Sequence, residues 1–339
     1  MRKGRSEFVE LYLDDALRFI AAKTINLNGR RLDFRADAGE SSFLEEQLRF
    51  IESTVYDYKL RELKFRVVFP VSNEGEGSAQ IAYDLVRGVG VAKIIASGAT
   101  DIPRADTFVK RYYAIVRAMA LGFGYTTQEM RNASFANVPL DAQRASSVRR
   151  GFEEKFNEIA FQGDATHNIL GLLNNTNVPV VQVAAPATGT SRVWGGADKT
   201  KEEIIKDVSS ALSDVVDDTN QVHTPDSIGL PISKYEYLRK TPYSTQAPIS
   251  LLRYLLDPLN GYDIKRITQL PELKTAGPGG EACMWVYEMS DEVMTFRIPM
   301  EPRPMPPEQR GLEFVINMEA EIAGLVIRRP LAMSITYGI

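Results

Sequence analysis

The chain has 339 residues, of which 44% are hydrophobic and 25% are charged, a balance typical of folded, water-soluble proteins. Its 40 basic and 44 acidic side chains are well mixed, and the net charge of −4 argues against a surface built to grip nucleic acid phosphates. The single cysteine, Cys283, excludes an intramolecular disulfide, indicates a reducing compartment and is expected to be a buried structural thiol. No stretch approaches the ~18 consecutive apolar residues of a membrane span. We therefore expect a soluble intracellular protein of two or three compact units that has no membrane partner.

The first 71 residues predict two helices and a strand. One helical face is indicated by the spacing of Val9, Leu13, Leu17 and Ile20 within residues 1–40, which form either a frayed terminus or an arm that becomes ordered on a neighbouring subunit. Ser42 followed by Glu45 resembles a capping box ahead of a second amphipathic helix. The run KFRVVFPV (64–71) then predicts a strand.

Residues 72–118 predict a long antiparallel β segment. The runs AQIAYDLV and TFVKRYYAIV alternate and are rich in strand formers, and we expect Gly88 to break the first strand before VGVAKIIAS. Apolar residues lie on both faces, and no helix within the segment covers either face. Because an isolated hairpin is only marginally stable in water, these side chains need partners from elsewhere, such as another chain.

A long helix is predicted from Pro139 to Gly163. Its apolar face is formed by Ala145, Val148, Phe152, Phe156 and Ile159. We call it the spine helix; at 1.5 Å per residue it is roughly 35 Å long. Gly151 in its middle costs about 1 kcal/mol relative to alanine, so packing must stabilise the helix. A short helix that begins at Thr126 or Thr127 precedes it.

Residues from about 180 to 292 alternate between helix and strand patterns. A capping box, Thr200 with Glu203, opens one helix. The other expected elements are a strand at Ser227–Leu230, helices at SKYEYLRK and PISLLRYLLDPL, and a strand at ACMWVYEMS. The tail adds a proline-rich loop and the strands LEFVINME and GLVIRRPLAMSITYG. The fold class is therefore α+β, and it includes a compact α/β unit.

Chemistry-bearing residues do not assemble into a predicted site. The two histidines, His167 and His223, lack companion metal ligands at suitable spacing and are expected on the surface. Gly88 and Gly90 lack the third glycine and the helix of a dinucleotide fingerprint. Asp14–Asp15 and Asp217–Asp218 are interpreted as solvated faces, and GPGG (277–280) as a turn. We predict no catalytic, cofactor-binding or metal site, no cofactor and no enzyme activity.

The order of these elements resembles the major capsid proteins of tailed bacteriophages, whose Hong Kong phage-type shell fold is shared with encapsulins. The strings that carry the resemblance are TTQEMRNASFANVPLDAQRA, FQGDATHNILGLLNN and GLEFVINMEAEIAGLVIRRPLAMSITYGI. The resemblance covers nearly the whole chain.

The resemblance implies a division into four parts. These are an N-terminal arm at 1–50, a peripheral domain at 51–71, 119–180 and 293–339 with the spine helix at 139–162, an extended loop at 72–118 that lies across the adjacent subunit, and an axial domain at 181–292. The family offers no catalytic residues. Some members crosslink a hairpin lysine covalently to an asparagine of a neighbour, and Lys93 is the nearest candidate here.

The implied function is a major capsid protein that self-assembles through pentamers and hexamers into an icosahedral shell around double-stranded DNA. The shell would enclose DNA without sequence-specific binding, be assembled in the host cytoplasm and form part of the virion. Scaffolding, portal and possible decoration proteins are the expected further partners. Two alternatives remain open: an encapsulin-like nanocompartment shell protein, and an α/β enzyme centred on 181–292.

Overall fold

The computed structural model describes residues 26–27, 30–31, 59–94, 102, 104–136, 140–244 and 249–339. The chain divides into two compact units, residues 1–61 and 62–339. Within the first unit, the antiparallel strands β1 (Asn26–Leu27) and β2 (Arg30–Arg31) pair with each other. The helices predicted around Val9–Ile20 and Leu44–Val55 and the pair Asp14–Asp15 lie outside the described residues.

The described part of the second unit combines helices and strands. Its helices are α1 (Phe65–Val68), α2 (Thr127–Ala136), α3 (Leu140–Gln162), α4 (Lys201–Asp218), α5 (Ile232–Lys240) and α6 (Leu251–Leu256). Its strands are β3 (Val71–Ser72), β4 (Gln80–Val89), β5 (Asp106–Ile115), β6 (Arg117–Thr126), β7 (Val180–Gln182), β8 (Ser227–Leu230), β9 (Arg266–Gln269), β10 (Cys283–Tyr287), β11 (Met294–Arg297), β12 (Met300–Pro304), β13 (Glu308–Arg310), β14 (Glu313–Ile322), β15 (Gly324–Ile327) and β16 (Met333–Tyr337).

The described strands of this unit form four sheets. A five-stranded sheet has the order β7-β16-β10-β8-β9, and a three-stranded sheet has the order β15-β11-β3. In the third sheet, β14 pairs with β12 and β13 and also with β6, over its whole length. The fourth sheet is the hairpin β4-β5. The mixture of sheets and helices confirms the predicted α+β class.

Strand β10 divides two apolar cores. All five of its residues are buried, and alternate side chains point to opposite faces of the sheet. Trp285 and Tyr287 belong to the core around the spine helix, with Phe69 5.4 Å from Trp285 between ring centroids. Met284 and Val286 belong to the core under α4 and α6. The continuous apolar run in the sequence follows from this two-sided burial.

The spine helix, α3, spans Leu140–Gln162, close to its predicted limits. Its predicted apolar face is buried: Phe152 is 2% exposed, and Phe156 and Ile159 also lie in the core. A side-chain Cβ at Gly151 would lie 2.8 Å from the Leu121 Cδ2 atom on β6. Glycine therefore allows the Leu121 side chain to approach the helix backbone closely.

The end of the spine helix is held by a compact turn. Gly163 closes the helix with a φ of 70°, as predicted, and its N–H donates to Ile159 O at 2.9 Å. The following loop folds back so that the N–H of Gly171 donates to Asn174 Oδ1 at 2.7 Å, and Asn174 Nδ2 donates to Ile169 O. The sequence string FQGDATHNILGLLNN forms this turn.

The predicted strand at 64–71 is wrong over most of its length. Phe65–Val68 form a short helix, and only Val71–Ser72 pair as a strand. Phe65, Val68 and Phe69 are fully buried, a spacing that places them on one side of a helical turn against the spine helix core. Tertiary packing thus overrides the local strand preference of this segment.

Three other expectations need smaller corrections. Strand β4 continues through Gly88, which pairs with Thr107, whereas residues 90–94 are not a strand. Helix α6 is shorter than PISLLRYLLDPL, because Ser250 caps its first turn and Pro258 follows its end. The terminal run GLVIRRPLAMSITYG divides at Pro330 into β15 and β16, which join different sheets.

A buried ion pair that the sequence did not reveal lies at the start of helix α4. Lys199 Nζ lies 2.7 Å from Asp207 Oδ2, and both side chains are almost fully buried. Trp194 Nε1 also donates to this carboxylate, at 2.9 Å. Burial raises the pKa of Asp207, and the ammonium of Lys199 and the indole N–H oppose that effect. The predicted capping box of Thr200 with Glu203 is present at the start of α4.

Candidate assembly surface

The hairpin β4-β5 is a slender, separate sheet. Its strands pair over ten residues each, from Gln80 opposite Ile115 to Val89 opposite Asp106. At about 3.4 Å per residue it is roughly 30 Å long. Within the described part of the chain, neither strand pairs with any strand but the other.

The register divides the hairpin into two faces, because directly opposed residues point to the same side of an antiparallel pair. The Phe108 face consists of Arg87, Val89, Asp106, Phe108 and Lys110. The Val86 face consists of Asp84, Val86, Val109, Arg111 and Tyr113.

Both faces expose large apolar side chains. On the Val86 face, Val86 is 61% exposed and Val109 is 59% exposed. On the Phe108 face, Phe108 is 60% exposed and Val89 is 43% exposed. Exposed apolar groups concentrated on one projecting element are typical of a contact surface for another molecule.

The charges on the Val86 face neutralise each other. Arg111 donates to both oxygens of Asp84, its cross-strand partner, at 2.7 and 2.8 Å. The guanidinium of Arg111 lowers the pKa of the Asp84 carboxyl. This face therefore presents valine and tyrosine side chains beside an ion pair that has no net charge.

The base of the hairpin is anchored by a stack of rings and cations. The rings of Tyr83 and Tyr112 stack with centroids 5.5 Å apart and planes inclined by 14°. The Arg328 guanidinium lies 5.7 Å from the Tyr83 centroid, and Lys110 Nζ lies 4.8 Å from the Tyr112 centroid. The inner half of the hairpin is thus attached to the loop that follows β15.

A cleft of about 460 Å³ lies between the base of the hairpin and the body of the unit. Leu85 and Tyr113 are among the hairpin side chains that line it, and Asn168, Asn175 and Leu325 are among those opposite. The residues nearer the tip, 86–89 and 106–109, do not line this cleft. Only the inner half of the hairpin therefore has neighbours in its own chain there.

Ion pairs hold the segment that leads into β4. Arg297 donates to Glu74 at 2.8 Å, and Arg303 donates to Glu76 at 2.7 Å. The backbone N–H of Gly77 donates to Glu321 Oε2 at 3.0 Å. The hairpin therefore leaves the body from a root fixed at several points, and its outer half projects beyond that root.

The solvent side of the spine helix carries paired charges. Arg150 pairs with Glu154 at 2.8 Å and Lys155 pairs with Glu158 at 3.0 Å, both within the helix. Arg66 on α1 bridges Glu153 of the helix and Glu301 of β12, with its closest contact at 2.7 Å. This surface offers little concentrated positive charge to phosphates.

The residues considered for chemistry do not converge. His167 is exposed as predicted, with its Nδ1 2.7 Å from Asp164 Oδ2. The prediction of a surface position is wrong for His223, which is half-buried with its Nδ1 2.7 Å from Glu288 Oε2, because strand β10 ends beside it. No group of three or more potential metal ligands occurs in the described part of the chain.

The structure also locates the other motifs that were singled out in the sequence. Cys283 is fully buried, as predicted, and burial raises its pKa to about 11. Asp217 and Asp218 are exposed, and a turn forms at 277–280. Lys93 lies in the exposed stretch that follows β4. Among the described residues, no helix is long and apolar enough to cross a membrane.

Strand β6 is the functional neighbour of the hairpin that sequence reasoning missed. Its large residues Met119, Leu121, Phe123 and Tyr125 alternate with Ala118, Ala120, Gly122 and Gly124. This alternation was the available signal, but the small residues have little strand propensity and concealed it. Because β6 follows β5 after Val116 alone, the chain passes directly from the hairpin into the sheet beside the spine helix.

Comparison with known proteins identifies the family. The family model described as "Major capsid protein" matches residues 90–339. The chain belongs to the major capsid protein family, and it is a capsid shell protein that associates with its own copies. No curated protein matches the chain significantly.

Solved structures with the same fold come from phages and from a GTA particle. The match to the capsid of Myoviridae phage XM1 has a TM-score of 0.74 at 17% identity, and it covers 87% of this chain and 98% of that chain. The capsid of the native GTA particle has a TM-score of 0.60 at 11% identity, with coverage of 90% and 99%. Microbacterium phage Oxtober96 gives 0.59 at 11% identity, with coverage of 89% and 99%. These likenesses show that the chain has the tailed-phage capsid fold.

Proposed function

We propose that the protein forms the icosahedral head shell that encloses the double-stranded DNA genome of a tailed phage, with pentamers and hexamers as its building units. Its role is structural, without enzyme activity. Assembly takes place in the host cytoplasm, and the product is the capsid of the virion.

The observation that carries this proposal is a family match that includes the whole of β5 together with the exposure of that hairpin. The match starts at residue 90 and continues to residue 339. The hairpin exposes apolar side chains on both faces, and they find no cover in the described part of the chain. A shell subunit requires such surfaces, because closed shells depend on heterologous contacts between copies.

The proposed division of labour follows the sequence interpretation. Residues 1–50 form the arm and 72–118 form the extended loop that crosses an adjacent subunit. Residues 51–71, 119–180 and 293–339 form the peripheral domain, and 181–292 form the axial domain at the symmetry axes. Strand β16 from the terminal segment lies between β7 and β10, so these two domains share one sheet.

The shell confines DNA without recognising its sequence. The paired charges along the spine helix and the net charge of −4 support confinement rather than tight binding. A lining that held DNA strongly would hinder packing and release. Scaffolding, portal and decoration proteins are proposed as further partners on the strength of the family resemblance.

The contents of purified particles test this proposal. Particles from producing cells are treated with nuclease, and the protected nucleic acid and the co-purified proteins are then identified. Protected double-stranded DNA of uniform length supports the phage head. A co-purified cargo enzyme without DNA would instead establish the nanocompartment alternative. Salt-dependent, sub-micromolar DNA binding by the free protomer at physiological salt would contradict simple confinement.

A further inference from the structure

The cleft between the base of the hairpin and the body of the unit has a one-sided charge. Its volume is about 460 Å³, and its lining includes Lys110 and Arg328 but no aspartate or glutamate among the described residues. The whole chain, by contrast, has more acidic than basic side chains, 44 against 40. A concave surface with an excess of positive charge raises the local concentration of anions.

Neither cation of the cleft is neutralised by a carboxylate in an ion pair within the described structure. Arg328 Nη1 donates to the backbone oxygen of Asp291 and, at 2.8 Å, to Thr295 Oγ1, and both acceptors are uncharged. Burial and the nearby positive charge of Arg297 lower the pKa of Arg328. Lys110 Nζ lies 4.8 Å from the centroid of a tyrosine ring. A bound anion would therefore stabilise both cations.

The rest of the cleft lining is neutral and combines amide groups with apolar surface. The side chains of Asn168 and Asn177 line the cleft and make no hydrogen bond within the described part of the chain. Each amide can donate two hydrogen bonds and also accept them. Leu170 and Leu325 add an apolar wall on the same side, and Tyr113 lines the cleft on the hairpin side. Small-molecule sites typically have such apolar walls with a few polar groups.

This neutral surface favours a phosphate ester with a flat organic part over a bare oxyanion. Inorganic phosphate would use only the two cations and leave the amide and apolar groups without a partner. The base of a nucleotide has polar edges, which asparagine amides can bind through two hydrogen bonds, and apolar faces, which contact aromatic side chains. A phosphate monoester carries about −1.5 to −2 charges near pH 7, which two cations can balance.

We propose that this cleft binds a free nucleoside monophosphate. Lys110 and Arg328 supply the positive charge for the phosphate, and Asn168 and Asn177 meet the polar edge of the base. The volume of the cleft lies in the range of small-molecule sites, so it suits a single nucleotide rather than a nucleic acid chain. The site belongs to one chain and does not depend on the assembly of a shell.

Titration calorimetry of the purified full-length protomer tests the proposal with four probes. These are deoxyadenosine monophosphate, inorganic phosphate, deoxyadenosine and a short single-stranded oligonucleotide without terminal phosphates. We expect about one monophosphate to bind per chain, at least about tenfold more tightly than each of the other probes, because a charge-assisted contact is worth about 1.5–3 kcal/mol. The affinity should fall as the salt concentration rises.

Three results would overturn the proposal. The monophosphate could fail to bind, or inorganic phosphate could bind equally well, which would show that the base makes no contact. Equal binding of the oligonucleotide would show that the ligand is a nucleic acid chain rather than a free nucleotide.

A charge-removing variant locates the site. Lys110→Gln keeps an exposed polar side chain on the hairpin, and we expect it to bind the monophosphate at least about tenfold more weakly. Lys206→Gln, which makes the same change at an exposed position of α4, should bind like the wild type. Equal affinities of the two variants would show that Lys110 does not contact the phosphate, and the assignment would fail.

An isosteric variant tests the opposite side of the cleft. Asn168→Asp places a carboxylate in the lining, and we expect its repulsion to weaken binding at least about threefold. Asn220→Asp is the matched control, because Asn168 and Asn220 both have a positive φ, 58° and 50°, which aspartate also adopts. Thermal unfolding checks that both variants are folded. Binding that is equal in the two variants would place the ligand outside this cleft and overturn the proposal.

Discussion

At the scale of single residues, Phe152 connects the sequence pattern to stability. Its side chain is 2% exposed, and its ring centroid lies 6.3 Å from that of Phe156. Phe152→Asp would bury an unpaired carboxylate at the centre of the apolar face, which costs several kcal/mol. We expect this variant to be lost from the soluble fraction.

The matched control for this prediction is Phe152→Leu, which keeps the site apolar and should give soluble protein with a lower unfolding midpoint. Soluble yield and thermal unfolding are measured for both variants. Normal stability of the aspartate variant would mean that the buried face of the spine helix has been assigned wrongly.

A second residue, Asp226, links pH to stability. Burial alone would raise its pKa, but the N–H of Met289, the Lys265 ammonium 3.0 Å away and the Ser227 hydroxyl outweigh burial and lower it. Because the folded pKa lies below the unfolded value of about 3.9, ionised Asp226 stabilises the fold above that pH. This contribution disappears as the pH falls through the folded pKa.

Asp226→Asn should therefore lower the free energy of unfolding by about 1 kcal/mol at pH 7. The gap between the variant and the wild type should narrow at a second, acidic pH that lies below the folded pKa, because the native carboxyl is protonated there. Urea unfolding at both pH values measures the two differences. A gap of the same size at both pH values would show that the charge of Asp226 plays no part.

Single-residue features were only partly predictable from the sequence. The capping box at Thr200 and the buried thiol at Cys283 followed from local pattern and residue type. The Lys199–Asp207 pair did not, because two charged residues eight positions apart look solvated until folding places Trp194 over them. Burial of a charged pair is decided by tertiary contacts rather than by spacing.

At the scale of elements, the turn after the spine helix depends on two glycines. A Cβ at Gly171 would lie 2.4 Å from Gly163 N and 2.5 Å from Ile159 O, which are backbone atoms that cannot move aside easily. We expect Gly171→Ala to destabilise the protein by about 2–3 kcal/mol through overpacking.

Gly279→Ala is the matched control, because the nearest atom to its added Cβ is 3.7 Å away. Its unfolding midpoint in urea should stay close to that of the wild type, while that of Gly171→Ala falls. Equal midpoints for the two variants would refute the view that close backbone packing fixes this turn.

Elements with strong periodicity were predicted well, and elements decided by packing were not. The apolar residues of the spine helix recur over a long stretch with the helical period, and the residues of β5 alternate over a long stretch with the strand period. The segment at 64–71 is short, and the burial of Phe65 and Phe69 decided its structure. Strand β6 was missed because the small residues that alternate with its large ones have little strand propensity, and its partner, β14, is nearly two hundred residues away in the sequence.

At the scale of the whole molecule, the central sheet joins segments that are far apart along the chain. Strand β16 lies between β7 and β10, and β10 supplies side chains to both cores. The order of elements in the sequence resembles that of a capsid protein, but these long-range pairings cannot be read from local pattern. The exposure of both hairpin faces likewise depends on the pairing register of β4 and β5, which the sequence does not give.

The most direct test of the account is the particle mass of the full chain against a chain with a shortened hairpin. Residues 81–114 are replaced by a short glycine-serine turn between Gln80 and Ile115, which are cross-strand partners and can be joined without moving the root. Light scattering and negative-stain microscopy then measure size and shape, with the scaffolding partner supplied if assembly requires it. We predict closed shells or rings for the full chain, and a folded protomer that forms no shells for the shortened chain. Shells of normal size from the shortened chain would contradict the claim that the hairpin joins the subunits.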